Sequence, residues 1–172
     1  MIIWITGLPG SGKTTLAQKI KYKLELKIDY NIVLLDGDNI RSILPYKISY
    51  SNEDRKKLAF FYSKLALLIE QSGCVVICSF LALFHDVQEN TRIKANDYFE
   101  IFLDPSVDEL KKKNKKGLYE KDSEYMLSQF IKHEFPLNPE LRVNSILNGV
   151  YNDNLTEIMA FLLRRINHNL SD

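Results

Sequence analysis

The chain has little glycine and almost no charge imbalance. With 23 Lys+Arg against 22 Asp+Glu the formal net charge is +1, so composition gives no reason to expect nucleic-acid binding. No apolar run approaches the roughly 20 residues that span a bilayer, which excludes a membrane helix. The start, MIIWITG, lacks a basic segment and a small-residue cleavage site and does not read as a signal peptide; a cytoplasmic protein is expected. The two cysteines, Cys74 and Cys78, flank Val75-Val76-Ile77. Four residues apart on a strand they face one side but lie about 13 Å apart, too far for a disulfide. They read as two buried thiols of a reduced protein, with no histidine close in sequence to make a metal site. Apolar content of 45% and charged content of 26% exclude a disordered chain, a coiled coil and a collagen-like repeat. At 172 residues one domain, 1–172, is expected, burying roughly 70% of its unfolded surface.

What glycine there is clusters. Three of the seven, Gly7, Gly10 and Gly12, fall within six positions. Ile2–Thr6 before them is a short apolar run that reads as a buried strand. Leu16, Ala17, Ile20 and Leu24 after them mark one face of a helix. Further strands are expected at Asn31–Leu35, at CVVICSF (74–80), at Tyr98–Leu103 and, weakly, at Arg142–Ile146. Helices are expected behind Ser51 with Asp54, a capping-box pair, where Leu58, Phe61, Leu65, Leu68 and Ile69 recur at helical spacing; over Asp86–Asn96; after Asp104-Pro105-Ser106 with Glu109; and at the C-terminus through Leu155, Ile158, Met159, Leu162, Leu163 and Ile166. Five strands alternating with helices imply an α/β fold, a parallel sheet covered on both faces. The polar, lysine-rich stretch 114–141 breaks that rhythm and is expected to act as a lid.

GLPGSGKT, Gly7–Thr14, fits G-x-x-x-x-G-K-[ST] between a strand and a helix. The glycines allow successive amides to point at an anion, and the helix presents its positive end to it. ATP is therefore expected on Gly7, Leu8, Pro9, Gly10, Ser11, Gly12, Lys13, Thr14 and Thr15, with Lys13 on the β- and γ-phosphates and the Thr14 hydroxyl on Mg²⁺. Pro9 is harmless there if its nitrogen is not a required donor. No N/T-K-x-D and no D-x-x-G accompanies the loop, which argues against a GTPase and leaves a small kinase.

LLDGDNIR, Leu34–Arg41, puts two carboxylates at the end of the second strand, where ligands bind in open parallel sheets. Asp38 could accept or orient a hydroxyl proton. Asp36 could hold a Mg²⁺-bound water, and Arg41 offers a fork for an anion. Taken alone, DGD would equally suit a solvated turn; the phosphate loop upstream favours function.

These motifs, with SNEDRKK, CVVICSF, KGLY (Lys116–Tyr119) and PLNPEL (Pro136–Leu141), resemble in order the successive motifs of the adenylylsulfate (APS) kinase family. The resemblance spans nearly the whole chain. It implies a P-loop NTPase fold of the nucleotide-kinase kind, three layers about a parallel five-stranded sheet with a lid. It implies transfer of the γ-phosphoryl of ATP to the ribose 3′-hydroxyl of a nucleotide that carries a 5′ anhydride. By that resemblance Asp38 is the base and Asp36 supports metal and geometry. Arg41 and Arg55 grip the acceptor's phosphate and tail. Asn39, Phe80, Leu81, Gly117 and Leu118 line the acceptor, Lys116 reaches over the reacting phosphates, and Lys113 stands where an arginine stacks on the ATP adenine. The resemblance favours a homodimer, a point on which the residues themselves are silent.

The departures cluster. The pattern ISP-x-R after the third strand is Leu81-Ala82-Leu83-Phe84-His85 here, so a serine becomes Ala82 and a basic residue His85. The lid's GFTG is missing, with Tyr125 or Met126 near its phenylalanine, and DPYEAPENPEL becomes IKHEFPLNPEL. A kept phosphoryl-transfer apparatus with a changed acceptor site fits that pattern. A related branch phosphorylates cytidine diphosphoramidate on the path to capsule phosphoramidate. That acceptor is the expectation, with adenylylsulfate the alternative. A sugar-acid kinase and a non-catalytic nucleotide-binding module are the rivals from other classes.

Overall fold

The computed structural model describes residues 1–46, 48–49, 51–113, 133–144 and 150–168. In chain order the elements are β1 (Ile2–Gly7), α1 (Lys13–Glu25), β2 (Ile32–Asp36), α2 (Gly37–Ile43), α3 (Asn52–Gln71), β3 (Val75–Ser79), α4 (His85–Lys94), β4 (Tyr98–Leu103), α5 (Val107–Lys113), β5 (Leu141–Val143) and α6 (Val150–His168). The strands form one parallel sheet in the order β2-β3-β1-β4-β5. Alternation along β1 feeds both faces. Ile3 and Ile5 join Leu16, Ile20 and Leu24 of α1 and Leu155, Ile158 and Leu162 of α6 in one core. Ile2 and Trp4 join Leu58, Tyr62 and Ala66 of α3 with Phe80, Phe84 and Val87 in the other. Side chains of a strand point alternately to either face, so a doubly covered sheet needs apolar residues at every strand position. The three-layer α/β reading therefore holds.

Four details differ from the sequence reading. α2 was unmarked, because seven residues with Ile40 alone buried carry no visible period. The buried face of α3 is Leu58, Ala59, Tyr62, Ser63, Ala66, Leu67 and Glu70, which leaves Phe61 41% and Leu68 64% exposed. The reason is α4: small residues let the helices approach, and Ser63 Oγ meets Thr91 Oγ1 at 2.7 Å. Cys78 is buried but Cys74 only half-buried, ahead of β3; neither thiol is in a disulfide. β5 begins at Leu141, one residue before the expected start, and runs to Val143; residues 145 and 146 of the expected strand lie outside the described residues.

The caps behave as their sequences suggest, with one diversion. Ser106 Oγ accepts from the Glu109 amide at 3.3 Å and Glu109 Oε2 accepts from the Ser106 amide at 3.0 Å, a reciprocal box. At α3, Ser51 Oγ accepts from the Asp54 amide at 3.2 Å. The Asp54 carboxylate turns instead to Ser49, accepting from its amide at 3.3 Å and its hydroxyl at 2.5 Å. That hydroxyl lowers the Asp54 pKa and pins the chain between α2 and α3.

Candidate active site

The carboxyl ends of three adjacent strands supply the site. β1 runs into the Gly7–Thr14 loop, β2 into Asp36 and α2, and β3 into Ser79, Phe80 and Leu81. Gly7 pairs with Leu103 of β4 at φ 149°, and a Cβ there would stand 2.4 Å from the Leu103 carbonyl oxygen. No side chain fits, so the first glycine of the motif is a demand of backbone packing. Gly10 and Gly12 take φ of 76° and 92°, conformations that let the loop turn its amides inward. Lys13 Nζ donates to the Gly7 and Leu8 carbonyls, both at 2.9 Å. The ammonium is thus held over the loop's own rim.

Asp36 joins the two halves. It is 7% exposed. Its Oδ1 accepts from the amides of Asp38 at 3.0 Å and Asn39 at 3.3 Å, capping α2. Its Oδ2 accepts from Thr14 Oγ1 at 2.7 Å, and Ser79 Oγ lies 3.4 Å from that hydroxyl. This cluster of hard oxygen donors fits Mg²⁺, which favours one or two protein oxygens and completes its shell with water and phosphate.

On the other side, Asp38 and Asn39 are exposed on the first turn of α2. Arg41, half-buried, donates through Nη2 to the Ser49 carbonyl at 3.3 Å. Beside it a cleft is lined by Ser42, Leu44, Pro45, Tyr46 and Ile48. Tyr62 lies beneath: its hydroxyl donates to the Gly37 carbonyl at 3.0 Å and its ring stacks on Phe80 at 4.3 Å. Burial pushes the Tyr62 hydroxyl up to about 12; Arg41 opposes that shift, while Asp38 and Asp36 add to it. All three charges therefore converge on one phenol, which stays protonated and donating. Phe80 is fully buried and Leu81 half-buried, and the Phe80 ring packs on Tyr62 beneath the Asp36–Asp38 turn.

Arg55 is half-buried in the first turn of α3. Lys113 closes α5, while Lys116, Gly117, Leu118, Tyr125 and Met126 lie outside the described residues, as does most of the expected lid. The end of that segment docks on the loop after β3. The Glu134 amide donates to the Leu83 carbonyl at 3.2 Å, Glu134 Oε2 accepts from the His85 amide at 2.6 Å, and His85 Nε2 meets the Phe135 carbonyl at 2.8 Å. Ser79, Tyr62 and this Glu134–His85 pair escaped the sequence reading. The only available signal was the seven-residue step from Arg55 to Tyr62, two turns along one helix face.

A phosphate loop at the end of one strand, tied to a two-carboxylate turn beyond its neighbour, defines a P-loop phosphotransferase. The family model for adenylylsulphate kinase matches residues 1–144. The chain belongs to that family and is a phosphotransferase acting on a hydroxyl group. It is 31% identical over 166 residues to a cytidine diphosphoramidate kinase of Campylobacter jejuni, covering 96% of this chain and 95% of that protein. It is 31% identical over 171 residues to an adenylyl-sulfate kinase of Geotalea daltonii, covering 96% and 83%. The Mycobacterium tuberculosis APS kinase CysC, solved in complex with AMPPNP and APS, superimposes with a TM-score of 0.77 at 26% identity, covering 94% of this chain and 96% of that one. No helix among the described residues is long and apolar enough to cross a membrane.

Proposed function

We propose that this kinase transfers the γ-phosphoryl of ATP to the ribose 3′-hydroxyl of cytidine diphosphoramidate, for capsule phosphoramidate synthesis. Two relatives of equal identity act on different acceptors by name, so overall similarity does not choose between them. One observation carries the choice. His85, standing where the family pattern has a basic residue, is engaged through its ring with the Phe135 carbonyl and through its amide with Glu134. It serves as a dock for the end of the lid instead of a cation for a sulfate. Ala82, in place of the serine, is buried and offers no hydroxyl. Adenylylsulfate is the second reading, supported by the intact Asp38, Asn39, Arg41 and Arg55 set.

In this reading the loop amides and Lys13 hold the triphosphate, Lys13 leaving the Gly7 and Leu8 carbonyls for phosphate oxygens. Thr14 and Asp36 would hold Mg²⁺, with Ser79 beside them; the ion supplies charge neutralisation on the transferring group. Asp38 aligns the 3′-hydroxyl and takes its proton. Arg41 and Arg55 bind the acceptor's phosphate and tail, Asn39 and Leu81 its nucleoside, and Leu44, Pro45, Tyr46 and Ile48 offer the base an apolar surface. Lys116, Gly117 and Leu118 act over the phosphates and Lys113 beside the ATP base. The 114–141 segment is the lid of one domain and excludes water as a competing acceptor.

The test is ADP formation with ATP and either acceptor, side by side. Turnover of cytidine diphosphoramidate well above that of adenylylsulfate is expected. Strong turnover of adenylylsulfate alone overturns the choice. ATP consumption that ignores both acceptors would instead indicate a nucleotide-binding module with stray hydrolysis.

A further inference from the structure

His133 sits at the start of the stretch that docks on the loop after β3, and its neighbours fix it there. Glu134 is bonded to Leu83 and His85, Phe135 to His85, and Pro136 is buried. The imidazole itself is half-buried, yet its Nε2 is sealed from solvent and has no hydrogen-bond partner among the described residues. A buried polar atom left unpaired is costly to the fold. Such an atom calls for an explanation, and a bound group would supply one. Burial, and after it the charge of Arg55, lowers the His133 pKa. Two things follow. Arg55, assigned to the acceptor's anionic tail, is near enough for its charge to be felt at the ring. The ring is also neutral at physiological pH, so one of its nitrogens accepts a hydrogen bond.

We propose that His133 is a specificity residue for the acceptor's 5′ tail, its Nε2 accepting a hydrogen bond from an N–H of a phosphoryl amide. The inference rests on the acceptor reading above and deepens it. Tails that bind beside Arg55 are all anionic, so charge alone does not sort them. A phosphoramidate carries N–H donors; a sulfate or a fully ionised phosphate carries only acceptors. A desolvated acceptor nitrogen within reach of a tail held by Arg55 would discriminate for the first and against the others, since the wrong tail leaves the nitrogen unpaired and meets it with a lone pair.

The experiment compares kcat/KM for two acceptors identical except in the tail, cytidine diphosphoramidate and CDP, in the wild type, His133→Phe and His133→Gln. The wild type should prefer the amidate. His133→Phe keeps a ring but no acceptor and should lower the amidate-to-CDP ratio about tenfold, the worth of one hydrogen bond. His133→Gln keeps an acceptor oxygen and should hold more of the ratio than Phe does. A general disturbance of the lid lowers both rates together and leaves the ratio alone. If the ratio in His133→Phe equals that of the wild type, this inference is overturned while the acceptor reading stands. If the wild type turns over adenylylsulfate but not the amidate, both are overturned. Should His133→Phe fail to fold, His133→Leu makes the same comparison.

Discussion

The Thr14 hydroxyl donates to Asp36 Oδ2 at 2.7 Å although β3 lies between their strands in the sheet. The bond ties the last residue of the phosphate loop to the turn that carries Asp38, the proposed base. Asp36 serves two ends at once, because its other oxygen caps α2. The two duties separate by substitution. Asp36→Asn keeps an oxygen for the cap and loses the anionic ligand. It should lower turnover by a hundredfold or more, about 3 kcal/mol of transition-state stabilisation, with the melting temperature little changed. Asp36→Ala loses the cap as well, at a further cost of about 1 kcal/mol, or roughly 2–4 °C for a chain of this size. Thermal unfolding and a coupled ADP assay on both variants decide the matter; equal turnover of Asp36→Asn and wild type would remove Asp36 from the chemistry.

Asp38 is exposed and Lys13 Nζ donates to carbonyls of the loop itself, and both lie outside the two apolar cores. Asp38→Asn should lower kcat about 10²–10⁴-fold, the usual worth of a positioned base, and leave thermal unfolding unchanged. Lys13→Ala should lower kcat and ATP affinity together. Near-normal kcat in Asp38→Asn would show that Asp38 merely lines the site.

Much of this was legible because it is local. The loop Gly7–Thr14 is dictated by backbone, and the 2.4 Å approach of a would-be Cβ to Leu103 explains why its first position must be glycine. The strands are continuous apolar runs because both faces of the sheet are covered, and that pattern survives in sequence. What stayed hidden came from contacts between distant residues. The apolar stripe through Phe61 and Leu68 suggested the wrong face of α3, since the polar Ser63 is buried by its contact with Thr91 of α4. Tyr62, Ser79 and His133 are single residues with no local pattern; Tyr62 and Ser79 are held by partners 25 and 65 positions away, and His133 adjoins the Glu134–Phe135 stretch that docks on the loop after β3. The capping role of Asp36 was not legible, because α2 is too short to announce itself.

Tyr62→Phe tests how the turn is held. The ring stack on Phe80 remains, and only the hydroxyl's bond to the Gly37 carbonyl is lost. Stability should fall by about 1 kcal/mol. Because Gly37 lies between Asp36 and Asp38, a looser turn should also lower kcat by several-fold while ATP affinity, governed by the loop, is unaffected. A kcat equal to the wild type's would show that the cap on α2 suffices to hold Asp38.

The last prediction concerns pH. Glu100 on β4 is 3% exposed. Its carboxylate accepts from Tyr98 Oη and Arg92 Nη2, both at 3.2 Å. Even so, its pKa is raised from 4.5 to about 7. Burial is the main cause, and it outweighs Arg92 because that guanidinium is shared with Glu140, which binds it through both oxygens. A carboxyl whose folded pKa is above its unfolded one binds its proton more tightly when folded. Its contribution is full below about pH 4.5 and is lost as pH rises to about 7. The displacement corresponds to about 3 kcal/mol. Glu100→Gln cannot titrate and keeps an oxygen for Tyr98, so its stability should stay level where the wild type declines, and it should exceed the wild type at pH 8. Urea unfolding of both proteins at pH 5, 6, 7 and 8 reads this directly. Parallel curves across that range would mean that Arg92 compensates the buried charge in full and that Glu100 is ionised throughout.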